Sequence, residues 1–312
     1  MMTHTLCGNT PPWANPAIVM ETQNGFSDVP LPTPADNHLA YCRDRCTPEG
    51  SSLYYATLFV PPGRRPAWLG INTLIRDIQA VPLKVQDAGL AAIKLAWWKT
   101  EMERAAAGTA GHPATLCMGQ ETAVEVGIDP VARLVQAVSI SQQWPRHFTQ
   151  AEWDACCRDW GGEAFIMAAR TLGLTDSAND EGIRQFGAAS MRLTQLLMLA
   201  PAISQGWHPF PVERLQQAGV SAEALRRRDP SDALQALVGQ IADEALRSGE
   251  GAWKSLPRSV RLQLRPLRAL WRMRVAEYRL ALQAGLPLVT QRIRITPLKK
   301  FWLAWSSHAL RA

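Results

Sequence analysis

Chemistry in this chain must come from its carboxylates, its histidines and cysteines, its hydroxyls or its cations, and spacing tests each in turn. Asp159 and Glu163 stand four apart, a separation that sets two carboxylates on one helix face, where they could share a metal ion. Their structural reading is a solvated face, because Arg158 and Arg170 lie close by and Asp154 opens the same stretch. Asp77, in Ile75-Arg76-Asp77-Ile78-Gln79, reads first as a structural carboxylate. It needs a partner, Arg76 or a cation on a neighbouring helix, since an unpaired interior charge is costly. His112 and His208 each precede a proline in a turn, with no Cys, His or Asp at metal spacing. The six cysteines form no CxxC pair, which argues against a zinc site. A reducing compartment argues against disulfides. Cys42 and Cys46, four apart, read as small packing residues. Ser51 and Ser52 follow Gly50 but lack the Gly-x-Ser-x-Gly frame of a nucleophile elbow. Gly161-Gly162 lies in a helical stretch and is no phosphate loop.

The cations are unevenly spread. From Lys254 to Ala312 there are thirteen Lys or Arg against one acid, Glu277, a local charge of +12 that leaves −6 for residues 1–253 of a chain totalling +6. Such asymmetry points the C-terminal part at something anionic, or marks a solvated basic face. Lys299, Lys300, Trp302 and Trp305 combine cations with interfacial aromatics, the composition of a helix that lies on an anionic membrane surface. Nucleic acid is an unlikely partner by this reading, because no recognised binding module is present.

The elements that position these groups are helical. A 312-residue chain that is 47% hydrophobic can bury a large core. No apolar run is long enough to span a bilayer, and no leader pattern opens the chain, so a soluble, cytoplasmic protein is expected. Residues 1–36 are rich in Pro, Asn, Thr and Gly and read as a poorly ordered arm; residues 37–312 read as one all-α domain of ten to twelve helices. Thr149-Gln-Ala-Glu152 forms a capping box. Asp129-Pro130 and Asp229-Pro230 each pair an N-cap with a proline at the first helical position, and Ser221 caps a short helix. An amphipathic segment runs from Leu264 to Leu286 and a basic helix from Pro297 to Leu310. The tryptophans at helical positions, Trp97, Trp98, Trp153, Trp160 and Trp271, read as core.

Five stretches in order resemble the squalene/phytoene synthase family. They are Tyr41-Cys42 with Gly50-Ser51-Ser52-Leu53-Tyr54-Tyr55; Leu58-Phe59-Val60-Pro61 with Arg65-Pro66-Ala67 and onward to Arg76; and Leu95-Ala96-Trp97-Trp98 with His112-Pro113. Gly162 to Gly173 and Gly187 to Val220 complete the set. The resemblance spans residues 38–310 and implies an isoprenoid-synthase-type helical bundle around a central apolar cavity. Tyr54, Tyr55, Leu196, Met198 and Leu199 would line that cavity. It also implies the family's chemistry, head-to-head joining of two allylic diphosphates, with two aspartate-rich motifs on facing helices holding Mg²⁺ ions through hard oxygen ligands.

This sequence departs from the family at both motifs. The place of the first reads Gln79-Ala80-Val81-Pro82-Leu83, without a carboxylate, and Pro82 is expected to end its helix. The place of the second reads Leu196-Leu197-Met198-Leu199-Ala200-Pro201-Ala202-Ile203, and no acid occurs between Gly182 and Val212. What remains resembles the mitochondrial complex I assembly factors built on this fold. The shared features are a lone acid, Asp77, an aromatic pair, Trp97-Trp98, and a proline, Pro201, soon after the second helix. That resemblance implies an assembly or scaffold role with a client protein, an isoprenoid or lipid ligand held without turnover, and no cofactor. The alternative is a divergent prenyltransferase that would need Mg²⁺ and would recruit Asp77, Asp159 and Glu163 as its acids.

Overall fold

The computed structural model of the protein describes residues 34–85, 87–141, 149–204, 208–228 and 231–309. The expected arm lies outside the described residues up to position 33, as does the Asp229-Pro230 cap. Helix α1 opens at Pro34 and runs to Cys46. After it come α2 (Ser52–Thr57), α3 (Arg65–Lys84), α4 (Ala88–Ala106), α5 (Pro113–Met118), α6 (Gln120–Val126) and α7 (Ile128–Ser141). The second half holds α8 (Gln150–Cys157), α9 (Glu163–Thr171), α10 (Asp180–Leu197), α11 (Leu199–Ser204), α12 (Val212–Gln217) and α13 (Ala222–Arg226). It ends with α14 (Asp232–Ser255), α15 (Arg258–Gln263), α16 (Arg265–Gln283) and α17 (Pro297–Ala309). No strand occurs among the described residues.

The helices outnumber the expected ten to twelve because glycine and proline cut periodic stretches into short segments. Gly119 and Gly127, at φ +81° and +71°, separate α5, α6 and α7, using a backbone region that costs glycine little. The second of these turns also moves a predicted start. Helix α7 begins at Ile128, so Asp129 and Pro130 fall in its first turn, where a missing N–H is harmless. The other caps form as read. Thr149 Oγ1 accepts from Glu152 N at 3.2 Å, while the Thr149 amide donates to the Glu152 carboxylate at 2.8 Å. Ser221 Oγ accepts from Ala224 N at 3.1 Å.

The long helices α3, α10, α14 and α16 carry the core. Helix α3 packs on α1, α5, α7 and α9, and α10 on α9, α14 and α16. Trp68, Phe186 and Trp271 are among the largest fully buried side chains, and Phe186 meets Phe165, Trp253 and Trp271 at 5.3–5.5 Å between ring centroids. Trp97 departs from its core reading. It is exposed, and with Ile93 and Trp98 it borders a shallow concavity of about 280 Å³.

Between α8 and α9 the chain widens into one π-helical turn, Arg158–Gly162, which crosses α10 at Gly187. A Cβ on Gly161 would collide with the Gly187 carbonyl, and one on Gly187 with the Gly161 carbonyl. The two backbones touch because neither residue has a side chain, and the Gly-Gly pair is thereby explained as a helix crossing.

Candidate functional site

At the place of the first motif, α3 runs through Pro82 and ends two residues later at Lys84. The expected stop at Pro82 is therefore late by a half turn. Pro82 leaves the Ile78 carbonyl without its helical donor, and the helix closes within the following turn, the Val85 amide still donating to the Val81 carbonyl at 3.0 Å. Asp77 pairs with Arg45 on α1, Oδ1 accepting from Nε at 2.8 Å and lying 2.6 Å from Nη2, so the partner is the neighbouring helix and not Arg76. The pair ties α3 to α1.

At the place of the second motif, α10 stops at Leu197 and the chain restarts as α11 at Leu199. Pro201 explains the break: its ring would strike the carbonyl four residues back, on Leu197, while within α11 it sits in the first turn. Leu196 and Leu199 are packed in the core and Met198 is half-buried. Tyr54 and Tyr55, both half-buried, stack edge to face at 5.2 Å. They sit on α2, which packs on α16 and α17, and α16 is also the neighbour of α10. Thus α16 is the element that the two halves of the expected lining share.

Asp159 and Glu163 do not make a metal face. Glu163 is fully buried and its carboxylate is taken by two arginines: Arg184 Nε donates at 2.6 Å, and Arg133 Nε lies 2.9 Å away. Burial and the neighbouring Glu163 charge push Asp159 above the usual carboxylate range, against the pull of Arg133, Arg158 and Arg184. No group of three or more His, Cys, Asp or Glu among the described residues is placed to hold one metal ion, so Asp77, Asp159 and Glu163 do not converge. The stretches where the two motifs are expected, Gln79 to Leu83 and Leu196 to Ile203, contain no carboxylate.

The structure assembles a cluster that sequence reasoning missed. Arg274 on α16 donates to Ser190 Oγ of α10 at 2.7 Å. Burial pulls its guanidinium down to about 10, with Glu277 opposing. The residue is half-buried between the two helices. Glu277, one turn on, is raised by burial, while Lys300, Arg274 and Arg292 draw it down and the Ile295 amide donates to it. Lys300 Nζ donates to the Gly50 carbonyl, just before α2, at 2.8 Å, and burial lowers its ammonium. Lys300, Arg274 and Arg292 thus all act on the one carboxylate of Glu277, and Lys300 ties the group to the segment ahead of α2. Ser190 lies two turns before Leu197. The one available signal was Glu277, the sole acid in the basic C-terminal run.

A second missed acid is Glu101, fully buried on α4. Its Oε1 accepts from the Gly111 and His112 amides at 2.8 Å each and from Thr115 Oγ1 at 2.6 Å. It clamps the His112-Pro113 turn. His112 in turn caps α5, its Nδ1 accepting from Ala114 N at 3.1 Å.

The C-terminal group expected to face a membrane divides. Lys299, Trp302 and Trp305 are exposed, as are Leu298 and Phe301. Lys300 is only 6% exposed and belongs to the cation cluster. The correction is a matter of helical phase: Lys300 stands two residues from both Leu298 and Trp302, about 200° around α17, and so falls on the packed side with Leu303 and Ala304.

Fold and donor sets together define an all-α protein of the isoprenoid synthase type, and the family model of squalene/phytoene synthase matches residues 47–284. The chain belongs to the squalene/phytoene synthase family. It is similar in structure to a dehydrosqualene synthase in complex with ligand, at 12% identity and a TM-score of 0.75, covering 88% of this chain and 96% of that one. It is also similar to the squalene synthase HpnC from Alicyclobacillus acidocaldarius, at 20% identity and 0.67, covering 82% and 97%. A third likeness is to YisP from Bacillus subtilis subsp. subtilis strain 168, at 14% identity and 0.58, covering 88% and 99%. No curated protein matches the chain at a significant level. No helix among the described residues is long and apolar enough to cross a membrane.

Proposed function

We propose that this is a non-catalytic member of the squalene/phytoene synthase family, a scaffold or assembly factor whose helical bundle holds an isoprenoid or lipid anion without turning it over. One observation supports the reading: the stretches standing where the family's two aspartate-rich motifs are expected hold no carboxylate, while Arg274, Arg292 and Lys300 act on the lone acid Glu277. Cations can bind a phosphate directly. They do not substitute for a metal that polarises a leaving diphosphate. Asp77 and Glu163, already committed to arginines, are poor replacements.

Within this reading, the resemblance to the complex I assembly factors supplies the role, a fold kept for its surfaces, with a client protein as partner and no metal cofactor. The test is incubation of the full chain with farnesyl or geranylgeranyl diphosphate, with and without Mg²⁺, measuring diphosphate release and ligand retention. The expected result is retention that does not depend on Mg²⁺ and no release. Steady release that requires Mg²⁺ would overturn the proposal in favour of a divergent prenyltransferase.

A further inference from the structure

Helix α17 has two apolar faces. One packs inward: Leu303, Ala304 and Ser306 are buried, and Arg272 of α16 clamps it by donating to the Leu303 carbonyl at 3.2 Å and to Ser306 and Ser307 hydroxyls at 2.8 and 2.9 Å. The other looks outward. Leu298, Phe301, Trp302 and Trp305 are 77%, 43%, 55% and 49% exposed, and their spacing of three, four and seven residues makes one continuous stripe. So large an exposed apolar surface on a single helix marks a docking site.

Charge selects the occupant. Lys299 lies beside the stripe, Arg292 and Arg294 precede it, all three exposed, and no acid occurs from Tyr278 to Ala312. A second copy of the chain docked through the same stripe would bring these cations against themselves, because a two-fold interface opposes like patches. An anionic lipid surface meets both demands, accepting Trp and Phe at the headgroup level and neutralising the lysine and arginines.

We infer that α17 is an in-plane membrane anchor: the Leu298–Phe301–Trp302–Trp305 stripe seats the protein on an anionic bilayer. The helix is not a detachable tail. Lys300 on its inner side reaches Gly50, so the anchor is tied to the segment ahead of α2 and moves with the bundle. The anchor stands on its own observations and does not depend on whether the bundle binds an isoprenoid.

The test is co-sedimentation of the full chain with phosphatidylcholine vesicles, with and without phosphatidylglycerol, at low and high salt. Wild-type protein is expected to pellet with phosphatidylglycerol vesicles and to be released by salt. Leu298→Glu and the double variant Leu298→Glu/Trp305→Glu should weaken binding, the double variant by about tenfold or more, with melting temperatures unchanged. Val124→Glu, an equally exposed site on α6, should bind like wild type. If the double variant unfolds, Leu298→Glu alone decides the matter. Equal binding by wild type and Leu298→Glu, or equal binding to neutral and anionic vesicles, would overturn the inference. So would a wild-type dimer that Leu298→Glu converts to monomer without any vesicle binding.

Discussion

Two charged clusters tie the packed helices of this molecule together, and they are built on opposite plans. Around Glu163, acids and cations balance: Arg133 and Arg184 share one fully buried carboxylate, with Asp159 alongside, and the group locks α7 and the start of α9 to α10. Around Glu277, three cations face one carboxylate, and none has an acid to itself. A buried charge tolerates its surroundings when it is paired and hydrogen-bonded. The first cluster is complete without a ligand. The second carries an excess of positive charge that an anion would neutralise. The two carboxylates that sequence spacing marked as possible ligands, Asp159 and Glu163, belong to the complete cluster, and the incomplete one was built from residues far apart in the chain.

The largest way to break that contrast is Glu163→Gln, which takes from Arg133 its ion-pair partner and leaves Arg184 with only the longer 3.6 Å pair to Glu181. A loss of about 3 kcal/mol or more is expected, read as a shift in urea midpoint. A loss near zero would mean the first cluster is no more needed than an exposed pair. Next comes Arg274→Met in the second cluster. It should lower affinity for geranylgeranyl diphosphate about tenfold by removing a charged hydrogen-bond donor, while stability changes little. A collapse in stability with unchanged ligand binding would show that the excess charge serves packing. The smallest effect belongs to the exposed Arg158–Glu181 pair at 2.5 Å. Its arginine, helped by Gln185, holds Glu181 down at about 2 from the ordinary 4.5. A carboxyl with a depressed folded value stabilises the native state above its unfolded value, and the contribution fades as pH falls from about 4.5 toward 2. Glu181→Gln should remove that part of the acid dependence and cost under about 1 kcal/mol at neutral pH.

The fold was legible because its signals are local. The Thr149–Glu152 box, the Ser221 cap and the near-absence of strand patterns each depend on a few adjacent residues. The order of the family's stretches required no tertiary knowledge. Helix counts and boundaries were less legible: Gly119, Gly127 and Pro201 end helices by backbone conformation, and periodicity alone reads across them. The candidate site was least legible. Lys300 looked like half of a surface pair with Lys299 until helical phase turned it inward. Asp77 lacked a visible partner because Arg45 is thirty-two residues away. Arg274, Glu277 and Arg292 carry no motif, and only the packing of α16 against α10, α2 and α17 brings them together.

The hydrogen bond from Lys300 to Gly50 spans 250 positions of chain, and it has a bearing on synthesis. The segment ahead of α2 leaves the ribosome long before its closing partner exists. Until residue 300 emerges, the Gly50 carbonyl must rely on water and Glu277 lacks its nearest lysine. Larger chains fold as they are made, N-terminal portion first, so this contact joins the bundle only after the helices before α17 have been synthesised.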